Sequence, residues 1–550
     1  MKLPSTLVVV LFFSTQLFAQ TVGLTQHNSG SIDDGFVLFA PISNTTTYLI
    51  DKCGKEINSW PSQYRPGQSV YLLEDGTLLR SGNANNANFD AGGKGGIIER
   101  IDWDGNVIWS FTISDITKCQ HHDIKWMPNG HILVIAWESK AASEAISEGR
   151  DPSLVTATVW SEQVLELEPI GTNGANIVWE WHLWDHLIQD HDANLPNYGT
   201  VADHPELLDV NFKASATNED WIHLNSIDYN VERDEVLLSS HSFNEVWIID
   251  HSTTTQEAAG HSGGTSGKGG DLLYRWGNPV AYQYGSPADQ KLFGQHNAHW
   301  IDSGFAYARQ IMIFNNGLAR PSGNYSSVEI IEPPISGGNY SSTLPYLPLN
   351  NSWRYVASNP TDLFAQNISG AHSMKNGHVL ICNGPAGTFL EIDENATPVW
   401  QYVNPVKNGG TIPQNTTPSM NIVFRCTFYP SNYPGFAGKT LSGTQTIENA
   451  NPMSDSCALY LALYQPESKV HMHVYPNPAV NFIYVQFDSP IEAGASLAVY
   501  DQLGQMQFFY DDESLEAGKM IDISNLPKGL YIVRMISNEV TSGMARFAKD

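Results

Sequence analysis

The sequence predicts an all-β chain: a six-bladed β-propeller followed by a small C-terminal β-sandwich. Three observations carry this. Gly (45) and Pro (30) are plentiful and charged residues make up only 16% of the 550, while 41% are apolar and 11% aromatic. That is the composition of many short strands joined by turns around a sizeable core. Two kinds of segment alternate through residues 36–435. The pattern then changes near residue 470.

Taken in order, residues 1–19 read as a secretory signal. "MKLPSTLVVVLFFSTQLFAQ" has a basic Lys2, an apolar run from Leu7 to Phe13, and small Ala19 at the expected cut. The run is too short to span a bilayer. No cysteine follows the cut, which argues against a lipid anchor, and no later run of 18 apolar residues predicts a transmembrane helix.

The propeller is expected over residues 20–465. Segments of the first kind end in an apolar strand after a turn: "SVYLLEDGTLLRSG", "HHDIKWMPNGHILVIAW", "WIHLNSIDYNVERDEVLLSSHSF", "QHNAHWIDSGFAYARQIMIFNNG", "GAHSMKNGHVLICNG" and "NIVFRCTFYP". Segments of the second kind pair an apolar strand with one ending in an aromatic, as in "TTYLIDKCGKEINSW", "GIIERIDWDGNVIWSF", "QVLELEPIGTNGANIVWEW" and "TFLEIDENATPVWQY"; "SSVEIIEPP" is a shortened version. One of each makes four strands, the content of a blade, and six of each are present. The early "TTYLID" strands are expected to close the ring against the last segment. A β-sandwich array leaves the strict alternation unexplained.

One insertion, residues 180–220, interrupts the rhythm with a short stretch of helical spacing and reads as a lid or substrate wall. The glycine-rich "AAGHSGGTSGKGGD" at 258–271 lacks the GxxxxGK[ST] arrangement, so it reads as a blade connection, not a phosphate cradle. From 466 to 550, "VYPNPAVNFIYVQF", "LAVYDQLGQMQFFY" and "MIDISNLPKGLYIVRM" give the short alternating strands of a small sandwich.

A formal charge of −28, from 29 basic and 57 acidic residues, opposes nucleic acid and anionic membranes as partners. An anionic small substrate would need local donors to offset that field. The five cysteines, Cys53, Cys119, Cys382, Cys426 and Cys457, are scattered without CxxC spacing. They form no zinc site or disulfide framework, though one incidental disulfide is compatible with them.

Histidine marks the strand entry in four first-kind segments: His121 and His122, His223, His296 and His299, and His372. The steps from His223 to His296 and on to His372 are 73 and 76 residues, about one blade each. In a propeller, equivalent ends of the innermost strands converge on the axis, so these residues form a candidate cluster. Histidine can ligate a metal, exchange protons or attack an electrophile. Crowded imidazolium rings repel, so most should be neutral at pH 7 and free as nucleophiles. By contrast, His182 and His186 in "HLWDH" have metal-ligand spacing but no HExxH glutamate, and read as a solvated or lid-packing face; His251 reads as a turn residue away from the axis.

The ordered set "HHDIKWMPNGHILVI", "DWIHLNSIDYN", "SSHSFNEVWIIDHSTTT", "LLYRWGNP", "QHNAHW", "IMIFNNG" and "VFR" resembles the bacterial arylsulfate sulfotransferases over residues 35–440. The resemblance implies a six-bladed propeller that moves a sulfuryl group from an aryl sulfate to a phenol. The transfer is ping-pong, through a sulfohistidine, without a nucleotide donor, cofactor or metal. Carried over by motif, His223 and His296 match active-site histidines, and His372 is the candidate nucleophile by blade and spacing. His121, His122, Asn225 and His299 would line the substrate site. The family's fourth-blade arginine is replaced by Ser327, leaving Arg320 and Arg425 as candidate sulfate donors. Separately, "YPNPA", "VYDQLGQ" and "IDISNLPKGLYIV" resemble the C-terminal sorting domain of type IX secretion, which implies that machinery as a partner and a secreted or cell-surface location. Two other readings fit the residues: a non-catalytic surface-binding or adhesion propeller, and a metal-dependent propeller enzyme.

Overall fold

The structure, a computed structural model, describes residues 20–451 except 29 and 444, and from there 453, 457, 472–487, 496–501, 506–511, 518–537 and 540–550. The expected signal at 1–19 lies outside the described residues. The chain divides into two compact units, Met1–Asn451 and Pro452–Asp550.

The first unit is built from four-stranded antiparallel sheets following one another along the chain. Each of the first five opens with an inner strand: Pro66–Leu72, Lys118–Trp126, Leu224–Asn230, His296–Trp300 and Gly370–Ser373. In the sixth, the inner strand is the last in sequence, Val423–Pro430, hydrogen-bonded to the early strand Gly35–Pro41, with Thr46–Asp51 and Glu56–Pro61 outside it. These inner strands touch one another in a closed circuit, Val423–Pro430 meeting both Gly370–Ser373 and Pro66–Leu72. The unit is a β-propeller sealed by pairing its two chain ends. Such closure leaves no ring edge for another chain to pair with.

The two kinds of sequence segment have physical counterparts. First-kind segments supply the inner two strands of a sheet and second-kind segments the outer two, except that Gly35–Pro41 is the second strand of the sixth sheet and Trp353–Tyr355 the outermost of the fourth. The aromatic that ends a second-kind segment is a clamp. Trp60, Trp109, Trp181, Trp276 and Trp400 are all buried. Their indole N–H groups donate to backbone carbonyls beyond their own sheets, at Asp102, Gly174, Gly270, Pro348 and Lys52, over 2.7–2.9 Å. Each joins a large apolar area to one satisfied donor; burial alone is worth about 1.5–3 kcal/mol per large side chain.

Three features differ from the sequence reading. Gly23–His27 adds a fifth strand to the fifth sheet. The fourth sheet is not shortened: after Ser327–Ile331, two consecutive prolines, Pro333 and Pro334, cannot continue the ladder. The chain makes a small hairpin and supplies the outer strand later, at Trp353–Tyr355. In the 180–220 insertion the helical pattern yields only two 3-10 turns, Leu183–Asp185 and Val201–Asp203, beside two short parallel strands, Leu187–Ile188 and Leu208–Asp209. Its apolar residues Leu183, Leu187, Leu208 and Val210 are buried in one core with Trp181, Trp221 and Trp247 of the neighbouring sheets. Packing of these residues, not helix propensity, fixes the segment.

In the second unit, Met472–Tyr475, Phe482–Phe487 and Lys519–Asp522 form one sheet, and Met506–Asp511, Ser496–Asp501, Gly529–Ser537 and Val540–Lys549 another. Ile483, Val485, Leu497, Val499, Ile521, Val533 and Phe547 form their shared core.

Candidate active site at one end of the propeller axis

The inner strands of the second, third and fourth sheets share a local device. Each is irregular near its entry, where the ladder slips between Val134 and Ala136, between Leu224 and Ser226, and between His296 and His299. A positive-φ residue sits at or beside each slip: His122 (φ 50°), His223 (φ 55°) and Asn297 (φ 54°). Such backbone costs about 1–3 kcal/mol per residue and persists where surrounding structure enforces it. Bulges of this kind re-aim a side chain. Here they gather imidazoles at the axis.

The result is a chain of edge-to-face rings. His122 lies 4.6 Å from His223, His223 lies 5.3 Å from His241, and His241 lies 5.6 Å from His296, centroid to centroid. Phe424, from the sealing strand, closes the set at 6.0 Å from His122 and 6.5 Å from His296. Gly93 makes room for His122: a Cβ there would fall 1.9 Å from the imidazole Cε1.

Hydrogen bonds give each ring a different character. Nδ1 of His223 is 2.5 Å from Oδ2 of Asp220, whose Oδ1 accepts from the Trp137 indole at 3.0 Å. Burial works against charge on His223, but the charge and hydrogen bond of Asp220 more than offset it, and its pKa is raised. Burial likewise opposes ionisation of Asp220, and the charge of His223 reverses this, leaving its pKa lowered. Both shifts favour the charged forms, the direction of an ion pair. His122 shares a 2.8 Å Nδ1–Nδ1 contact with His121, whose Nε2 is 2.8 Å from Oε2 of Glu162. His121 stacks on Trp137 at 4.1 Å. Burial takes His121 down to about 3 and pushes Glu162 well above the usual carboxyl range. Glu162, His121 and His122 thus form a neutral relay whose open end is Nε2 of His122, itself held well below the ordinary imidazole value by burial and the neighbouring His223.

His296 is engaged at both nitrogens. Nδ1 lies 2.8 Å from Oδ1 of Asn316, and Nε2 accepts the Ile368 backbone N–H at 3.2 Å. Its pKa is lowered by burial and by His241. The backbone of His241 is bonded to His223 and Asn244, while its imidazole makes no hydrogen bond among the described residues. Burial, then the charge of His223, lowers it to about 4, so its ring nitrogens are unprotonated and unengaged, apart from the one N–H of the neutral form.

The residues expected from sequence fall into three groups. His122, His223 and His296 are brought together, with His121 directly behind. His372 is placed elsewhere: it stacks on His299 at 5.9 Å, further along the inner strands, where Lys125 pairs with Asp228 at 2.6 Å. Burial, then His299 and Lys125, lowers His372 to about 3, and burial also lowers His299. Asn225, fully buried, donates to the Gln295 carbonyl at 2.7 Å and leaves its Oδ1 without a partner. The two candidate arginines are committed. Arg425 donates to Asp123 at 2.8 Å, to the Tyr71 hydroxyl at 3.0 Å and to the Asn225 carbonyl at 3.0 Å. Arg320 stays within the fourth sheet, on Ser327 at 3.0 Å with Glu329 4.0 Å away. Away from the axis, His251 joins Asp234 and Glu166, and His182 joins Glu138.

Sequence reasoning missed His241, Asp220 and Glu162. His241 follows the second strand of its sheet, so a rule based on inner-strand entries passes over it, although "SSHSFNEVW" was within the family-like set. Asp220 stands three residues before His223 in "EDWIHLN" and was open to inspection.

The structure is thus a sealed propeller with a cluster of unlike histidines drawn to its inner strands. The Arylsulfotransferase (ASST) family profile matches residues 24–424, and the chain belongs to that family. A second profile, the secretion system C-terminal sorting domain, matches residues 473–547 and indicates export by the type IX route to the surface or medium. No helix among the described residues is long and apolar enough to cross a membrane. No curated protein matches the chain. Similar solved structures include Kuenenia stuttgartiensis hydrazine synthase (13% identity, TM-score 0.29, 53% of this chain and 66% of that one). Others are the Swd1 β-propeller domain of Myceliophteria thermophila (9%, 0.33, 71% and 87%) and an inactive virginiamycin B lyase from Staphylococcus aureus (10%, 0.32, 70% and 89%). Scores this low carry no argument; the ring of inner strands defines the fold.

Proposed function

We propose that this protein is an exported arylsulfate sulfotransferase that moves a sulfuryl group from an aryl sulfate to a phenol through a sulfohistidine. The observation that carries the reading is the contact between one cationic histidine, His223 on Asp220, and neutral histidines with open nitrogens, in a chain of the arylsulfotransferase family. Sulfuryl transfer resembles phosphoryl transfer, with charge on the peripheral oxygens, so it needs placed donors more than covalent help. His223 supplies the local positive charge that the chain's overall −28 withholds from an anionic donor.

In the first half-reaction His241 attacks sulfur in line, an N–S bond forms and the aryl S–O bond breaks. His122, at the end of the Glu162–His121 relay, gives its Nε2 proton to the departing phenolate oxygen and is reprotonated through Nδ1. In the second half-reaction the acceptor phenol returns that proton to His122 as its oxygen attacks sulfur and releases His241. His296, held at both nitrogens, positions His241. We assign the nucleophile to His241 in place of His372 because His241 sits between His223 and His296, whereas His372 stacks on His299. His372, beside Lys125 and with no ring hydrogen bond among the described residues, is the second reading.

The test is chromogenic aryl sulfate turnover with and without phenol, together with His241→Ala and His372→Ala variants. Phenol-stimulated release that His241→Ala abolishes and His372→Ala spares supports the assignment. The opposite pattern moves the nucleophile to His372. A folded protein inert toward several donors would favour the surface-binding module.

A further inference from the structure

A second histidine cluster lies outside the axial site, where the 180–220 insertion meets the glycine-rich loop. Nδ1 of His186 and Nδ1 of His261 each lie 2.8 Å from Oδ1 of Asp271. The ligand atoms of all three residues lie within 4.8 Å of one another. His186 and Asp271 are buried, while the His261 side chain is 62% exposed, so the cluster opens to solvent on one side only.

The tautomer of His186 is dictated by its surroundings. Its Nε2 is 2.8 Å from the Ala258 carbonyl oxygen, which only accepts, so Nε2 carries the proton. In the neutral ring Nδ1 is then a bare lone pair aimed at a carboxylate oxygen, another acceptor. Either a second proton on the ring or a cation shared between the two atoms relieves that contact, and Nδ1 of His261 reaches the same oxygen, which gives a cation a third ligand. A backbone carbonyl holding the remote N–H of a histidine is also the usual outer support of a metal ligand. The ring is fixed further by Trp181, stacked at 5.7 Å and 6°, and by Gly270, where a Cβ would fall 2.5 Å from the imidazole Nε2.

We propose that His186, His261 and Asp271 bind one divalent transition-metal ion of the zinc class. Two imidazoles and a carboxylate suit such an ion, with water in the fourth position on the side of His261. The ion ties residue 186 of the insertion to both ends of the glycine-rich loop, which otherwise has little apolar packing of its own. His182, paired with Glu138, takes no part, so the i, i+4 spacing of "HLWDH" is incidental to the site.

The test uses full-length protein stripped with chelator and titrated with Zn²⁺, and with Co²⁺ as a spectroscopic probe, counting bound metal by mass spectrometry. The expected result is one equivalent per chain, a tetrahedral cobalt spectrum and a higher melting temperature with metal. His261→Ala, which removes a largely exposed ring, should bind more than about 10-fold more weakly and lose the melting shift, while His241→Ala keeps both. No stoichiometric metal would overturn the proposal. So would an equivalent that survives in His261→Ala and Asp271→Asn, or one lost in His241→Ala, which would put the metal at the axis.

Discussion

Replacing Asp220 with Asn isolates the charge that the sulfuryl chemistry needs. The carboxylate sits 2.5 Å from Nδ1 of His223, and the raised pKa of that ring depends on it. At an effective dielectric of about 20, unit charges about 4 Å apart interact by ~4 kcal/mol. Without it, burial is the largest remaining influence on His223 and lowers its pKa, as it does most strongly for His241, which lies at about 4. The cationic fraction of His223 at pH 7 then falls. Losing one charged donor at a developing oxyanion costs ~2.7–4 kcal/mol, or about 10²–10³ in kcat. The assay is kcat for a chromogenic aryl sulfate across pH 5–9, beside a histidine NMR titration. Stability changes in a defined window. The raised pKa of His223 stabilises the fold fully below pH 6.5, and this is lost as pH rises through its folded pKa. The lowered pKa of Asp220 contributes above pH 3.8 and is lost as pH falls through its folded value. A kcat within about threefold of wild type, with an unchanged His223 titration, would refute the reasoning.

Other perturbations have equally definite outcomes. His121 and His372, both lowered to about 3, bind fewer protons folded than unfolded, so stability falls as pH drops below 6.5. For the fully buried His121 the loss by pH 5 is about 2 kcal/mol; equal melting temperatures at pH 7 and pH 5 would count against this. Gly93→Val, at φ 88° and against the His122 ring, should displace that imidazole and lower kcat at least about 10-fold at a stability cost of roughly 1–3 kcal/mol; unchanged kinetics would show that His122 is not needed where it stands. Arg425→Ala leaves buried Asp123 uncompensated and should cost about 3–5 kcal/mol by chemical denaturation. Arg425→Ala with Asp123→Ala should recover part of that loss, and simple additivity would deny the coupling.

Much of the scaffold was legible because its signals are local. Turn residues punctuate the hairpins, and the aromatic ending each second-kind segment is the clamp that Trp60, Trp181 and Trp400 make to backbone beyond their sheets. The seal between Gly35–Pro41 and Val423–Pro430 was anticipated from repetition, but the extra strand Gly23–His27 carries no repeat signal of its own. In the site, equivalence of strand entries picks out His122, His223 and His296, which fall in one run of rings with His241. It does not fix depth: a shift of a few residues along an inner strand moves a side chain to another level, and His372 stacks on His299. His241 and Glu162 were hidden for a related reason: they reach the axis from turns or neighbouring strands, and only the folded ring brings them to strand-entry histidines. Neither arginine expected to replace the one that Ser327 displaces is free, since Asp123 and Glu329 already engage Arg425 and Arg320.

The central claim is that sulfur is carried on a histidine at the His223 end of the axis. The most direct measurement is to mix the protein with an aryl sulfate in the absence of phenol and quench at alkaline pH, where an N-sulfo adduct survives. Peptide mass spectrometry then finds the modified residue. The account predicts one sulfuryl group per chain on His241, discharged on adding phenol. A protein that turns over aryl sulfate with no histidine adduct, or with the adduct beside Lys125 on His372, would contradict it.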